Sequence, residues 1–233
     1  MNMVGRPAGM QRDARMAGML YLIVVATGMF CLAWVPARVG EGIEAAIAHA
    51  DTFRAGIAAF LLMQMAFLLL PLALYRLLAD VDRTTAITMV ALATVSVPIG
   101  LVAAGHRLEA LSLMQSVNIN PPELMRVAFA TSIERYGQAL RLASLFWGLW
   151  LLPFGWLVLR SGRLPRLLGI FLILGGIGYV ARVFGGLWPS FLESTFARNA
   201  TLPAAVGEIG SCVWLLVAGV RQWPSGSEST SSG

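Results

Sequence analysis

The chain has 233 residues and a formal net charge of +5, with 58% hydrophobic and only 12% charged residues. Ordinary globular domains contain roughly 45–50% apolar and about 25% charged residues, so this composition excludes a typical soluble domain and indicates an integral membrane protein. All 17 basic residues are arginines that are spread over the ends of apolar segments, which argues against a nucleic-acid-binding surface.

Six apolar segments are long enough to cross a membrane as helices. Such a helix needs about 20 mostly apolar residues to cross about 30 Å of hydrocarbon, and it satisfies its own backbone hydrogen bonds without water. The predicted spans cover residues 16–35, 53–78, 84–104, 138–159, 167–187 and 204–220. The sequence therefore predicts an all-α transmembrane helix bundle in residues 16–222. A cytoplasmic N-terminal segment, 1–15, precedes this single domain, and a disordered polar tail, 223–233, follows it.

The first span follows a basic segment, as the apolar core of a signal peptide would. That core is only about 7–15 residues long and ends at a small-residue cleavage site. Here the apolar run is longer and ends at Trp34, Val35 and Pro36. We therefore expect a retained helix.

The longest connection, residues 105–137, contains a helix-start signature at Asn120, followed by two prolines and Glu123. Apolar residues then recur at helical spacing among charged ones. This pattern predicts either a short amphipathic helix on the membrane surface between the third and fourth spans, or a helical extension of the fourth span into water.

The fourth and fifth spans are joined by a short turn that carries Arg160, Arg163 and Arg166 and no acidic residue. Cytoplasmic loops are enriched in basic residues, so this turn predicts that both chain termini lie in the cytoplasm. We interpret these three arginines as determinants of topology.

Ionisable residues inside apolar spans are the default candidates for function, because a charge at the centre of a membrane helix is costly. Two stand out, Arg182 in the fifth span and Glu208 in the sixth. At a rise of 1.5 Å per residue they lie at similar depth, roughly 24 and 20 Å from the cytoplasmic edge. We expect either an ion pair that locks the last two helices or a proton or anion site.

The same measure places Arg54 and Arg141 in the outer half of the bundle, and His106 just beyond the third span. These residues predict a polar cluster near the outer face. Alternatively, the arginine side chains extend individually to the lipid headgroups.

No catalytic set, cofactor motif or metal-ligand spacing occurs in the sequence, so an enzymatic role is not indicated. The only histidines are His49 and His106, and the two cysteines lie in apolar spans. Gly175, Gly176 and Gly178 formally match a dinucleotide motif, but they lie inside an apolar span and not between a strand and a helix. They predict close helix packing.

Short stretches along nearly the whole chain resemble the bacterial integral membrane family called domain of unknown function 4386. The stretches are RMAGMLYLI (15–23), FRAGI (53–57), LYRLL (74–78), SGRLPRLLG (161–169), GIGY (176–179), GE (207–208) and WLL (214–216). The resemblance implies a multi-pass protein of the bacterial inner membrane and assigns no mechanism. The family pattern often has a histidine where this chain has Trp150.

These observations leave two main hypotheses. The protein is a non-enzymatic accessory, sensory or stress-related component, or it is a small-molecule or ion transporter that uses the outer polar cluster. An intramembrane enzyme is a third, weaker hypothesis. A continuous polar cavity between Arg54, Arg141, Arg182 and Glu208 would favour transport. The lipid bilayer is the only partner that the sequence implies.

Overall fold

A computed structural model describes residues 6–116, 122–192 and 194–220. Within these ranges the secondary structure is helical, without a strand. The helices are α1 (Arg6–Met29), α2 (Val35–Val39), α3 (Ile43–Ala48), α4 (Ala50–Leu78), α5 (Arg83–Gln115), α6 (Pro122–Ser161), α7 (Arg166–Gly185), α8 (Pro189–Leu192), α9 (Thr195–Asn199) and α10 (Leu202–Val217). Six segments, built on α1, α4, α5, α6, α7 and α10, are long and apolar enough to cross a membrane. The predicted all-α fold with six spans is confirmed.

The first span does not end at Val35 but continues through a π-helical turn, Phe30–Trp34, into α2. In this turn the Val35 N–H donates to the carbonyl of Phe30, five residues earlier. Pro36 follows directly; its ring has no N–H and would crowd the carbonyl four residues before it in a regular helix. A local widening of the helix relieves that crowding.

Helices α5 and α6 are much longer than the predicted spans, with 33 and 40 residues. At 1.5 Å per residue they measure about 50 and 60 Å, so both must project beyond a hydrocarbon layer of about 30 Å. Of the two alternatives for the segment before the fourth span, the structure has the extension, since α6 is continuous from Pro122. Asn120 lies outside the described residues. His106 is inside α5 and not beyond its end.

The six long helices form a ring in which each packs against the next along the chain, and α10 closes the ring against α1. Aromatic side chains fill its centre. The Trp150 ring stacks on Phe154 at a centroid distance of 5.3 Å and meets Phe67 edge-on at 5.2 Å. Tyr21, fully buried, packs against both Trp150 and Phe154. This aromatic cluster connects α1, α4 and α6.

Both ends of the described chain lie at the same end of the bundle. The Gln11 side-chain amide donates to the carbonyl of Val220 at 3.1 Å, and the Val220 N–H donates to Gln11 Oε1 at 3.3 Å. An even number of spans requires this arrangement. That this end is cytoplasmic stays a prediction.

Arg163 has a structural role in addition to the predicted topological one. From the turn between α6 and α7, its guanidinium donates to both carboxylate oxygens of Asp80, with Nη1 to Oδ1 at 2.7 Å, and to the carbonyl of Leu77. These hydrogen bonds hold the pKa of Asp80 below its ordinary value. The contact ties the α4–α5 turn to the α6–α7 turn, and that the three hairpin arginines determine topology stays a prediction.

Glycines allow α6 and α7 to pack with their backbones in contact. A Cβ on Gly148 would lie 2.8 Å from the carbonyl oxygen of Gly176, and one on Gly176 would lie 2.7 Å from that of Gly148. Gly155 and Gly169 repeat this reciprocal pattern seven residues away on each helix. The prediction that the glycines of the fifth span serve close packing is confirmed.

Candidate functional site

Glu208 extends from α10 toward α1, where it accepts a hydrogen bond from the Tyr21 hydroxyl at 3.3 Å. Tyr21 is held by the aromatic rings of Trp150 and Phe154. Gly207, the neighbour of Glu208, permits this approach of α10 to the bundle, because a Cβ there would lie 2.9 Å from the backbone nitrogen of Leu172. Glu208 is therefore positioned by packing on both sides.

The Glu208 side chain lines a cavity of about 260 Å³ between α1, α4, α6, α7 and α10. We call it the Glu208 cavity. Four aromatic residues line it, Phe67, Trp147, Trp150 and Tyr179, and most other lining residues are aliphatic. Glu208 is the only acidic residue in this lining. The cavity is thus an apolar, aromatic space with one carboxyl group.

On α1 and α10, the lining of the Glu208 cavity includes residues that are exposed at the surface of the bundle. Met29 on α1 is 61% exposed and Ile209 on α10 is 42% exposed, and both line the cavity. The contacts that join the two helices, from Gly18 against Leu216 to Tyr21 with Glu208, lie on the side of the cavity nearer to the chain termini. The cavity is therefore open toward the bilayer between α1 and α10.

The predicted ion pair between Arg182 and Glu208 is not formed in the structure. Arg182 is exposed, and it makes no ion pair with any residue that the structure describes. Its side chain lines a second cavity of about 410 Å³ together with Arg141, which we call the arginine cavity. Trp147 and Tyr179 line both cavities and stand between them.

The remaining two candidates lie apart from both cavities. Arg54 donates from Nη1 to Asp51 Oδ1 at 2.8 Å within the first turns of α4. His106 Nδ1 lies 3.5 Å from Glu109 Oε2 on α5. The five candidates thus divide into Arg141 with Arg182, Glu208 alone, and two local pairs. Neither the Glu208 cavity nor the arginine cavity joins Arg54, Arg141, Arg182 and Glu208 in one continuous space.

Sequence reasoning missed Arg107. This side chain is only 5% exposed, with its guanidinium carbon 4.7 Å from the Phe53 ring centroid and 5.0 Å from that of Tyr136. Its Nε and Nη1 atoms are buried without a hydrogen-bond partner among the described residues. The signal was available, because Ala103 and Ala110, one turn to either side, continue the apolar face of α5.

Gln64 is a second buried polar residue that the sequence did not mark as a site. Its amide is 1% exposed, has no hydrogen-bond partner among the described residues, and packs against the backbone of Gly100. A Cβ at Gly100 would overlap the amide, so this glycine makes the space for it. The pair joins α4 to α5 near the bundle centre.

Metal and disulfide chemistry find no support in the described part of the chain. It contains no group of three or more His, Cys, Asp or Glu residues that could hold a metal ion. Cys31 and Cys212 are both buried free thiols. The chemical options at the site are therefore those of Glu208, the aromatic walls and the arginines.

These features define a polytopic helical membrane protein with ligand-sized cavities inside its bundle. The family model described as Domain of unknown function (DUF4386) matches residues 16–219, and the chain belongs to this family. Trp150, at the position where the resemblance implied a histidine, lies in the wall of the Glu208 cavity. Comparisons with curated proteins and with solved structures gave no match.

Proposed function

We propose that the protein binds a small lipophilic organic cation in the Glu208 cavity, without catalysing a reaction, as a membrane sensor or transporter. The single observation that carries this proposal is a carboxyl group in an apolar cavity with aromatic walls. Glu208 Oε1 accepts a hydrogen bond from the Tyr21 hydroxyl, and neither carboxyl oxygen forms an ion pair with a residue that the structure describes. A bound ligand cation would supply the missing charge.

The walls of the cavity suit a cation that carries apolar substituents. The faces of tryptophan and tyrosine attract quaternary ammonium groups, by about 0.5–1 kcal/mol at exposed sites and about 2 kcal/mol when desolvated. Trp147, Trp150 and Tyr179 offer such rings around Glu208. Attraction between the carboxylate and a cation is also much stronger in an apolar cavity than in water. The opening between α1 and α10 provides access from the bilayer.

Binding can be tested with benzyltrimethylammonium and its uncharged carbon isostere, neopentylbenzene. Because Trp147 and Trp150 line the cavity, we expect saturable quenching of tryptophan fluorescence by the cation and much weaker quenching by the isostere. The Glu208→Gln variant keeps the shape and an acceptor for Tyr21 but removes the charge, so we expect an affinity loss of about tenfold or more.

Glu134→Gln is the matched control, because it also removes one carboxylate but at an exposed position of α6 outside both cavities. It should bind the cation like the unmodified protein. Equal binding by Glu208→Gln, or equal affinity for the uncharged isostere, would show that Glu208 serves only to hold Tyr21.

Uptake into proteoliposomes separates the two roles. Saturable uptake of radiolabelled benzyltrimethylammonium that Glu208→Gln abolishes would establish transport. Binding without uptake would instead support the sensory role. The lateral opening favours neither outcome, since a ligand must reach the cavity in both cases.

A further inference from the structure

We infer that Arg141 and Arg182 together form a binding site for a phosphate group at the level of the lipid headgroups, on the side of the membrane opposite the chain termini. Proposals for the Glu208 cavity concern a cation, whereas this second site takes an anion. The two can therefore fail independently.

The first support is that two arginines line one cavity that contains no acidic residue. Arg141 on α6 and Arg182 on α7 line the same cavity of about 410 Å³, and its lining contains no carboxylate. Neither side chain forms an ion pair with a residue that the structure describes. Two like charges in one cavity repel each other, and a shared anion converts that repulsion into attraction.

The second support is depth. Arg141 lies 19 residues before Arg160, and Arg182 lies 16 residues after Arg166. At 1.5 Å per residue these separations put the two guanidinium-bearing residues about 29 and 24 Å from the turn that joins α6 and α7. The hydrocarbon layer is about 30 Å thick, so both lie near its far boundary, where lipid phosphates begin.

The third support is the composition of the rest of the cavity. Leu140 and Val183 contribute apolar surface beside the arginines, and Trp147 and Tyr179 form the wall that separates this cavity from the Glu208 cavity. Guanidinium groups bind phosphate oxygens in a bidentate manner. A cavity with two such groups and an apolar wall fits an amphiphile that carries a phosphate.

The alternative is that each arginine extends separately to the lipid headgroups around it. That alternative predicts no preference between anionic lipids and no saturation. A shared site instead binds one lipid and prefers a phosphate monoester, which carries up to two negative charges, to a phosphodiester, which carries one.

Native mass spectrometry of the full-length protein in detergent tests this inference. We expect one equivalent of phosphatidic acid to bind in preference to phosphatidylglycerol or phosphatidylcholine. Arg141→Gln and Arg182→Gln should each weaken that binding about tenfold or more, since a hydrogen bond to a charged group is lost. Arg54→Gln is the matched control, because Arg54 pairs with Asp51 outside the cavity, and it should leave binding unchanged.

Competition by inorganic phosphate identifies the source of the anion. Displacement of the lipid by millimolar phosphate would show that the site recognises the phosphate group alone. If phosphate does not displace the lipid, the site also requires the rest of the lipid. Equal losses in the Arg54→Gln control, or binding that does not distinguish the three lipids, would overturn the inference. The Arg141→Gln and Arg182→Gln chains should keep Cys31 and Cys212 protected from a thiol-reactive dye until the unfolding temperature of the unmodified protein, which shows that they are folded.

Discussion

Replacing Gly176 with alanine tests whether the contact between α6 and α7 depends on the absence of a side chain. The new Cβ would lie 2.7 Å from the carbonyl oxygen of Gly148 and 2.9 Å from the Leu152 side chain, whereas ordinary contacts are 3.4–4 Å. The Leu152 side chain can rotate away, but the backbone carbonyl cannot. The helices must therefore separate by about 0.7 Å at this point.

Two opposing terms set the size of the effect. Overpacking of this kind costs about 1–3 kcal/mol. Alanine is favoured over glycine inside a helix by about 1 kcal/mol, so the net free energy of unfolding should fall by about 0–2 kcal/mol. Gly105→Ala is the matched control, because a Cβ there meets nothing within 4 Å and only the helix-propensity gain remains. The two variants should therefore differ by about 1–3 kcal/mol.

Thermal unfolding in detergent measures this difference. Cys31 and Cys212 are buried, so a thiol-reactive fluorogenic dye labels them only as the bundle opens. For a chain of this size 1 kcal/mol corresponds to a Tm shift of about 2–4 °C, which puts Gly176→Ala about 2–12 °C below Gly105→Ala. If the two alanine variants unfold at the same temperature, the contact between the α6 and α7 backbones does not limit stability.

Two further predictions concern charged side chains. Hydrogen bonds from Arg163 lower the pKa of Asp80. The pair therefore stabilises the fold at a pH above the ordinary pKa of aspartate, and this stabilisation is lost as the pH falls through the lowered pKa. The Asp80 side chain is 63% exposed, so the pair contributes at most about 1 kcal/mol to the free energy of unfolding. Asp80→Asn should abolish this part of the acid dependence of Tm. Equal acid dependence of Tm in the variant and the unmodified protein would contradict the prediction. A double-mutant cycle of Arg107→Met with Phe53→Leu should give a coupling of about 1–2 kcal/mol from the buried cation–π contact, and coupling below about 0.3 kcal/mol would show that the contact contributes nothing.

Hydropathy predicted the number of spans correctly because it measures what a bilayer selects, an apolar length. It misplaced the ends of α5 and α6 because a helix does not stop where the bilayer does. Arg107 shows the consequence. The sequence assigned it to an outer connection, whereas α5 continues to Gln115 and places Arg107 against Phe53 and Tyr136.

The depths of Arg182 and Glu208 could be estimated from the sequence, but not the directions in which they point. Counting residues along α7 and α10 gives a height for each side chain and says nothing about rotation around the helix axis. In the structure Arg182 joins Arg141 on one side of Tyr179, and Glu208 joins Tyr21 on the other. Two side chains at the same height thus face separate cavities.

The separation of those cavities follows from the glycine contact between α6 and α7. A Cβ on Gly148 would lie 2.6 Å from the Cβ of Tyr179, so only glycine lets the backbone at Tyr179 approach α6 this closely. Trp147 immediately precedes Gly148, so both aromatic residues lie beside this close contact between the two helices. Because Trp147 and Tyr179 line both cavities, they separate Glu208 from Arg141 and Arg182, and for that reason Arg182 and Glu208 do not pair.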